Sequence, residues 1–278
     1  MNRGMNRGRG HTLLLADVGN TRIKLAAVGS GQSITLRQDL LSRGFRPDNL
    51  RAWLETAAPA AGFMLIAGVN EAAAVRLEAV LAEVSAAGVR PLRQRRVLAA
   101  DLPLEVQVDE PLRVGIDRLA GAAAAASLKT AGRGAIVVDC GTAMTVDLVS
   151  PAGAFLGGAI LAGPGLLAKA LAEGTSRLPE VAALETGSPP PMPGRSTQAA
   201  IAAGIGWGLR GAVARLVAEG RQALGGTPDG SAGGEAEPEV FLTGGSAGIV
   251  RDALPGAIDV PDLVLTGIAL AAERACAR

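Results

Sequence analysis

Leu13-Leu14-Leu15-Ala16-Asp17-Val18-Gly19-Asn20-Thr21-Arg22-Ile23-Lys24-Leu25 is an apolar run that ends on a carboxylate, turns through Gly-Asn-Thr and leaves as a second apolar alternation. Ile136-Val137-Val138-Asp139-Cys140-Gly141-Thr142-Ala143-Met144-Thr145-Val146-Asp147-Leu148 repeats the plan. Each copy reads as strand, tight turn, strand. Gly19 and Gly141 each follow an Asp by two residues, and the missing Cβ lets the backbone come close to a ligand. The copies lie about half a chain apart, as in a duplicated domain whose halves face each other across a ligand. An acid, bare backbone and a hydroxyl in each copy suit a nucleotide phosphate tail with its metal ion.

Composition narrows the possibilities further. A chain of 278 residues is long enough for one large domain or two medium ones. Uninterrupted apolar runs fall short of the ~18 residues of a spanning helix, and no signal-peptide core precedes Asp17, so no membrane partner is expected. The net charge of +1, the absence of Tyr and the scarcity of aromatics argue against nucleic acid. Two cysteines, Cys140 and Cys276, make no disulfide framework and point to a reducing cytosol. The one histidine, His11, lies at the end of an Arg/Gly-rich tail, which leaves Ser-His-Asp hydrolysis and His-ligated zinc without their central residue. Acid–base chemistry falls to Asp or Glu.

Along the chain, residues 1–11 read as a disordered tail. A first domain is expected over 12–125 and a second over 126–278. Helices are expected over Leu50–Ala61, Glu71–Ala87, Val114–Leu128, Leu166–Glu173, Gln198–Leu224 and Val264–Ala277, with short strands at Phe63–Ala67 and Val240–Leu242. The second hairpin continues through Phe155–Ile160. Residues 183–195 read as a loop and 225–238 as a mobile Gly-rich linker.

Chemistry concentrates in a few places. Of 27 basic residues only Lys24, Lys129 and Lys169 are Lys. Lys24, seven positions after Asp17, offers a compact ammonium that suits a phosphate oxygen. Asp17 and Asp139 read as phosphate or metal residues, although Asp is also common in turns. Asp117, in Gly115-Ile116-Asp117-Arg118, is either a favourable acid at a helix start or a general base beside an anion clamp, Arg118. Gly163-Pro164-Gly165 opens a helix whose N-terminus could face an anion, and Gly244-Gly245 offers bare backbone after a buried strand. Neither the P-loop spacing nor Gly-x-Gly-x-x-Gly is present. Cys140 reads as packing, since no His is placed to activate it.

In this order the motifs resemble those of the type III pantothenate kinases, within the actin-like ATPase and sugar-kinase superfamily. The resemblance runs from about Leu13 to Ala272. It is carried by Asp17–Lys24, Gly115–Arg118, Asp139–Ala143 with Thr145 and Asp147, Gly157-Gly158-Ala159-Ile160 with Pro164-Gly165, Gly194–Thr197 and Thr243-Gly244-Gly245. It implies an α/β chain of two similar actin-like (ribonuclease H-like) domains, each a mixed sheet flanked by helices. It also implies an ATP-dependent phosphorylation of pantothenate, the first step toward coenzyme A.

By the same resemblance, Asp17, Val18, Gly19, Asn20, Thr21, Arg22, Ile23 and Lys24 would hold ATP phosphates and Mg²⁺, with Thr142 also on ATP. Asp139 would hold a monovalent cation, K⁺ or NH₄⁺. Gly115, Ile116, Asp117 and Arg118 would bind pantothenate, with Asp117 taking the proton from its hydroxyl. Thr197 would complete the substrate pocket near a homodimer interface. Val108 stands where the family often has Tyr, so a hydroxyl contact to substrate is lost. Another small-molecule kinase of the superfamily and a non-catalytic regulator on the same fold are the rival readings.

Overall fold

The structure is a computed structural model describing residues 11–29, 33–58, 61–87, 91–182, 190–227 and 237–276. The expected tail, apart from His11, lies outside these residues. So do most of the expected linker at 225–238 and half of the loop at 183–195.

β1 (His11–Val18) and β2 (Arg22–Val28) form the expected hairpin, with Asp17 opposite Lys24 and Val18 opposite Ile23. β3 (Ile34–Leu41) continues antiparallel on β2. After α1 (Pro47–Ala57), β4 (Ala61–Gly68) lies parallel to β1; after α2 (Glu71–Ala86), β5 (Leu92–Arg96) lies parallel to β4. The order is β3-β2-β1-β4-β5. β1 has a strand on each side, and Leu14, Leu15 and Ala16 are all fully buried. That explains a continuous apolar run rather than a simple alternation.

The second sheet repeats this plan. β6 (Ala135–Cys140), β7 (Ala143–Val149) and β8 (Phe155–Ala162) form an antiparallel meander. β9 (Glu239–Thr243) pairs parallel with β6 and β10 (Ile258–Asp259) with β9, giving β8-β7-β6-β9-β10. The register sets Asp139 opposite Thr145, as Asp17 is opposite Lys24 in the first sheet. The second turn is one residue shorter, so the same slot falls six residues after the acid instead of seven.

Both sheets are mixed and flanked by helices, as expected. β3, β5 and β10 were not foreseen. All three are short or polar strands at sheet edges, where charge guards against unwanted pairing and blurs the strand pattern. The expected C-terminal helix is two, α6 (Leu263–Leu270) and α7 (Ala272–Cys276), because Ala271 N–H donates to Ile268 in a tighter three-residue turn.

Packing divides the chain into two units. The first contains residues up to Pro103, Gly115–Ala120 and Val264 onward; the second contains Leu104–Val114 and Gly121–Leu263. The sequence put the division after residue 125. Packing changes units after Ala120, five residues earlier in the same helix, α3 (Ile116–Leu128), and the C-terminal segment rejoins the first unit. In the first unit, Leu14, Ile23, Leu25, Leu50, Leu54, Met64, Ile66 and Leu77 join one core under β1, β2 and β4. In the second, the core gathers Ile136, Val138, Met144, Val146, Val240 and Leu242 against α4 (Pro164–Gly174) and α5 (Thr197–Ala223).

Among the described residues, α5 alone is long and apolar enough to cross a membrane by length and composition. Its Ile201, Ile205, Leu209, Val213 and Val217 are buried in this core.

Candidate active site

In the first unit the acid ends up where a strand stops. Asp17 is the penultimate residue of β1 and is 8 % exposed. Lys24 Nζ lies 3.9 Å from Asp17 Oδ2, so the seven-residue spacing is that of a cross-strand pair. The intervening Gly19-Asn20-Thr21 turn is closed by Gly19 N–H donating to the Arg22 carbonyl at 3.0 Å. A Cβ on Gly19 would approach that same carbonyl to 3.1 Å. Ser42, just past β3, staples the turn twice: its Oγ donates to Gly19 O at 2.7 Å and its N–H to Thr21 O at 3.0 Å.

The second acid of this unit lies close by. Val69 N–H donates to the Val18 carbonyl at 3.1 Å, extending β4 beside the end of β1. Val69 Cγ1 lies 3.5 Å from where a Cβ on Gly115 would stand. Asp117, in the first turn of α3, folds its carboxylate back over Gly115. Oδ1 accepts the Arg118 N–H at 2.8 Å and would stand 2.5 Å from a Gly115 Cβ. Glycine at 115 is therefore a requirement of the carboxylate position. Asp17, Val18 and Gly115–Arg118 are thus neighbours through Val69, although they are about a hundred residues apart in sequence.

α3 is itself held closely. A Cβ on Gly267 of α6 would stand 1.9 Å from the Ala120 carbonyl, one turn beyond Asp117. Only bare backbone allows this approach of the two helices.

In the second unit, Asp139 lies on β6, between Thr145 of β7 and Thr243 of β9. Its Oδ1 is seated against Gly244, whose φ is +94° and whose Cβ, if present, would be 2.5 Å from that oxygen. Thr142 occupies the β6–β7 turn, where its carbonyl accepts from Gly163 N–H at 3.0 Å. A Cβ at Gly163 would strike the Gly141 and Thr142 carbonyls at 2.5 Å. So the glycines before α4 and after β9 serve to pack two chain segments onto the Asp139 turn.

Cys140 is fully buried; burial first, then the Asp139 charge, pushes its thiol far above the ordinary value. It is a packing residue, as its sequence context suggested.

The remaining candidates lie further along the same unit. Val108 is half-buried at Gly157, three residues along β8 from Ile160, the residue in the row of Asp139 and Thr145. Thr197 is exposed at the first position of α5, following the Ser196 cap, whose Oγ accepts Ala199 N–H at 3.1 Å.

Sequence reasoning did not pick out Ser42, Val69 or Gly267. Gly267 left a signal, a lone glycine inside a helix of large apolar residues. Ser42 and Val69 left none, because their roles arise only from strand pairing.

Comparison with known proteins agrees with this architecture. A family model described as type III pantothenate kinase matches residues 13–219, well over half of the chain. A type III pantothenate kinase from Alkalilimnicola ehrlichii is 40 % identical over 180 residues, spanning 64 % of this chain and 66 % of that one. One from Gluconobacter oxydans is 34 % identical over 276 residues, 94 % of this chain and 93 % of its own. Among solved structures, a Baf family transcriptional activator from Campylobacter jejuni superposes with a TM-score of 0.54 at 19 % identity, covering 95 % of this chain and all of that one, a likeness of fold alone. On the extent of the family match and on near full-length identity above 30 %, the chain belongs to the type III pantothenate kinase family.

Proposed function

We propose that this chain transfers the γ-phosphoryl group of ATP to pantothenate, giving 4'-phosphopantothenate for coenzyme A synthesis in the cytosol. The observation that carries this reading is the juxtaposition in the first unit. Asp117, held over Gly115, stands beside the strand end that carries the Asp17–Lys24 pair.

Phosphoryl transfer needs positioning and charge neutralisation more than covalent chemistry from the protein. Asp117 accepts the proton from the primary hydroxyl of pantothenate as its oxygen bonds to the γ-phosphorus. The bond from that phosphorus to the β–γ bridging oxygen breaks, and ADP leaves. Arg118 and the residues Gly115 and Ile116 orient the substrate, Thr197 keeps the substrate contact that the resemblance gives it, and Val108 borders the substrate without the hydroxyl contact.

The Asp17–Lys24 segment receives the nucleotide phosphates, with Thr142 as a further nucleotide contact. Among the described residues no group of three or more His, Cys, Asp or Glu is placed to hold a metal. Mg²⁺ usually takes one or two carboxylates together with substrate phosphates; Asp17 is the carboxylate we assign. Bound there, the ion neutralises charge on the β- and γ-phosphates. Asp139 is assigned the monovalent cation, K⁺ or NH₄⁺.

The test is an ATP-coupled assay against pantothenate and a panel of small alcohols, with the product identified by mass. Phosphorylation of pantothenate above the panel supports the proposal. Turnover of another alcohol alone moves the chain to a different kinase specificity. No pantothenate-dependent turnover overturns the assignment.

Asp17→Asn and Lys24→Ala are expected to lower ATP-dependent turnover at least tenfold, on the scale of one lost charge-assisted contact, ~10–100-fold. Pantothenate affinity, measured by calorimetry, should hold. Unchanged Mg–ATP affinity together with unchanged rate in both variants would remove this segment from the nucleotide site.

The working unit is proposed to be a homodimer. Gly204, Gly208 and Gly211 line α5 with open space where each Cβ would be, beside the half-exposed Trp207. A Cβ at 204 or 208 therefore meets nothing within 4 Å among the described residues. Sedimentation should show a wild-type dimer, and Gly204→Leu or Gly208→Leu should weaken both dimer and activity. A fully active wild-type monomer at micromolar concentration would refute it.

A further inference from the structure

We infer that Thr145 supplies, through its side-chain oxygen, a second ligand to the monovalent cation assigned to Asp139. This rests on the cation reading above and extends it to a residue given no role there.

Thr145 Oγ1 is buried and has no hydrogen-bond partner among the described residues. A buried hydroxyl left unpaired is costly, and its persistence calls for an explanation. The β6–β7 register puts Thr145 directly opposite Asp139, so both side chains leave the same face of the sheet. Asp147, 1 % exposed and two residues on, adds a second carboxylate to that face. The opposite face of these strands is the apolar core of Ile136, Val138, Met144 and Val146.

The charges decide what the hydroxyl meets. Two carboxylates on one face make a negative field, which disfavours a phosphate oxygen and favours a cation. Of the two, Asp139 is the one opposite Thr145, and one carboxylate plus a neutral oxygen dipole suits a singly charged ion, since oxygen dipoles can replace part of its hydration shell. An ammonium ion would donate a hydrogen bond to the same lone pair. Gly244, by lacking a Cβ, leaves the Asp139 carboxylate seated in this row and not displaced from it.

The experiment follows thermal unfolding of Thr145→Val, Thr145→Ser, Asp139→Asn and the wild type. Each is titrated with KCl, NH₄Cl and NaCl against choline chloride at matched ionic strength, with and without a non-hydrolysable ATP analogue. Wild type and Thr145→Ser should gain stability with K⁺ and NH₄⁺. Thr145→Val should need about tenfold or more K⁺ for the same gain, as expected for losing one contact to a charge. Its melting temperature in choline should match or exceed wild type, because an unpaired buried hydroxyl is gone.

If Asp139→Asn loses the K⁺ response while Thr145→Val keeps the wild-type midpoint, the Thr145 ligand is refuted and the Asp139 site stands. If the wild type responds to no cation under either condition, both fall. Should Thr145→Val fail to fold, Thr145→Ala is read by the same criterion.

Discussion

Asp117→Asn is expected to leave the fold intact and to lower kcat by ~10²–10⁴, the usual contribution of a positioned general base. The amide keeps the size of the side chain and an oxygen for the Arg118 N–H, so the start of α3 should be undisturbed. It cannot take up the substrate proton. Calorimetry should therefore find pantothenate bound about as before, while the coupled assay finds turnover nearly gone. The chain contains one histidine, His11, and it lies in β1, at the end of that strand remote from Asp17. A rate above about a tenth of wild type would show that base catalysis lies elsewhere, given the expected range. Gly115→Ala should act in the same direction with the carboxylate still present, because its Cβ would stand 2.5 Å from Asp117 Oδ1.

Gly267→Val should cost roughly 3 kcal/mol or more of stability, at the upper end of what overpacking costs. The Cβ alone would be 1.9 Å from a backbone carbonyl, which cannot swing aside as a side chain can. One of the two helices must shift. That is a large part of the ~5–15 kcal/mol by which a domain is stable. Because the carbonyl belongs to Ala120, one turn beyond Asp117, any folded fraction should also have a lower kcat. Denaturant unfolding with a coupled assay on the refolded fraction checks both parts. Stability within about 1 kcal/mol of wild type would mean that α3 and α6 separate cheaply, well below the usual overpacking cost.

Much of this was legible beforehand because the strongest sequence signals are set by local geometry. The two hairpins followed from alternation around Gly-bearing turns, and α2 from its apolar spacing. Lys24 stood out for its rarity, and its register opposite Asp17 supplies the reason for the spacing. Edge strands were obscured by their own charge, as in Leu92-Arg93-Gln94-Arg95-Arg96. The discontinuous first unit was not legible: nothing local marks the C-terminal residues as partners of β5 and α3, since that packing is a property of chain return. The seat of Asp117 on Gly115 was half visible, as a motif without a geometry.

The matching strand orders have a consequence for how the chain balances charge. In the first sheet the slot opposite the acid holds Lys24, a counter-ion that is part of the chain. In the second the same slot holds Thr145, which has no charge to give. One copy carries a lysine in that slot and the other, on the cation reading, is served by an ion from the medium. On the cation reading, the salt around the protein is then a component of the active molecule, as dispensable as Lys24 and no more. A tethered ammonium in place of Thr145 would trade that dependence on ionic surroundings for permanence.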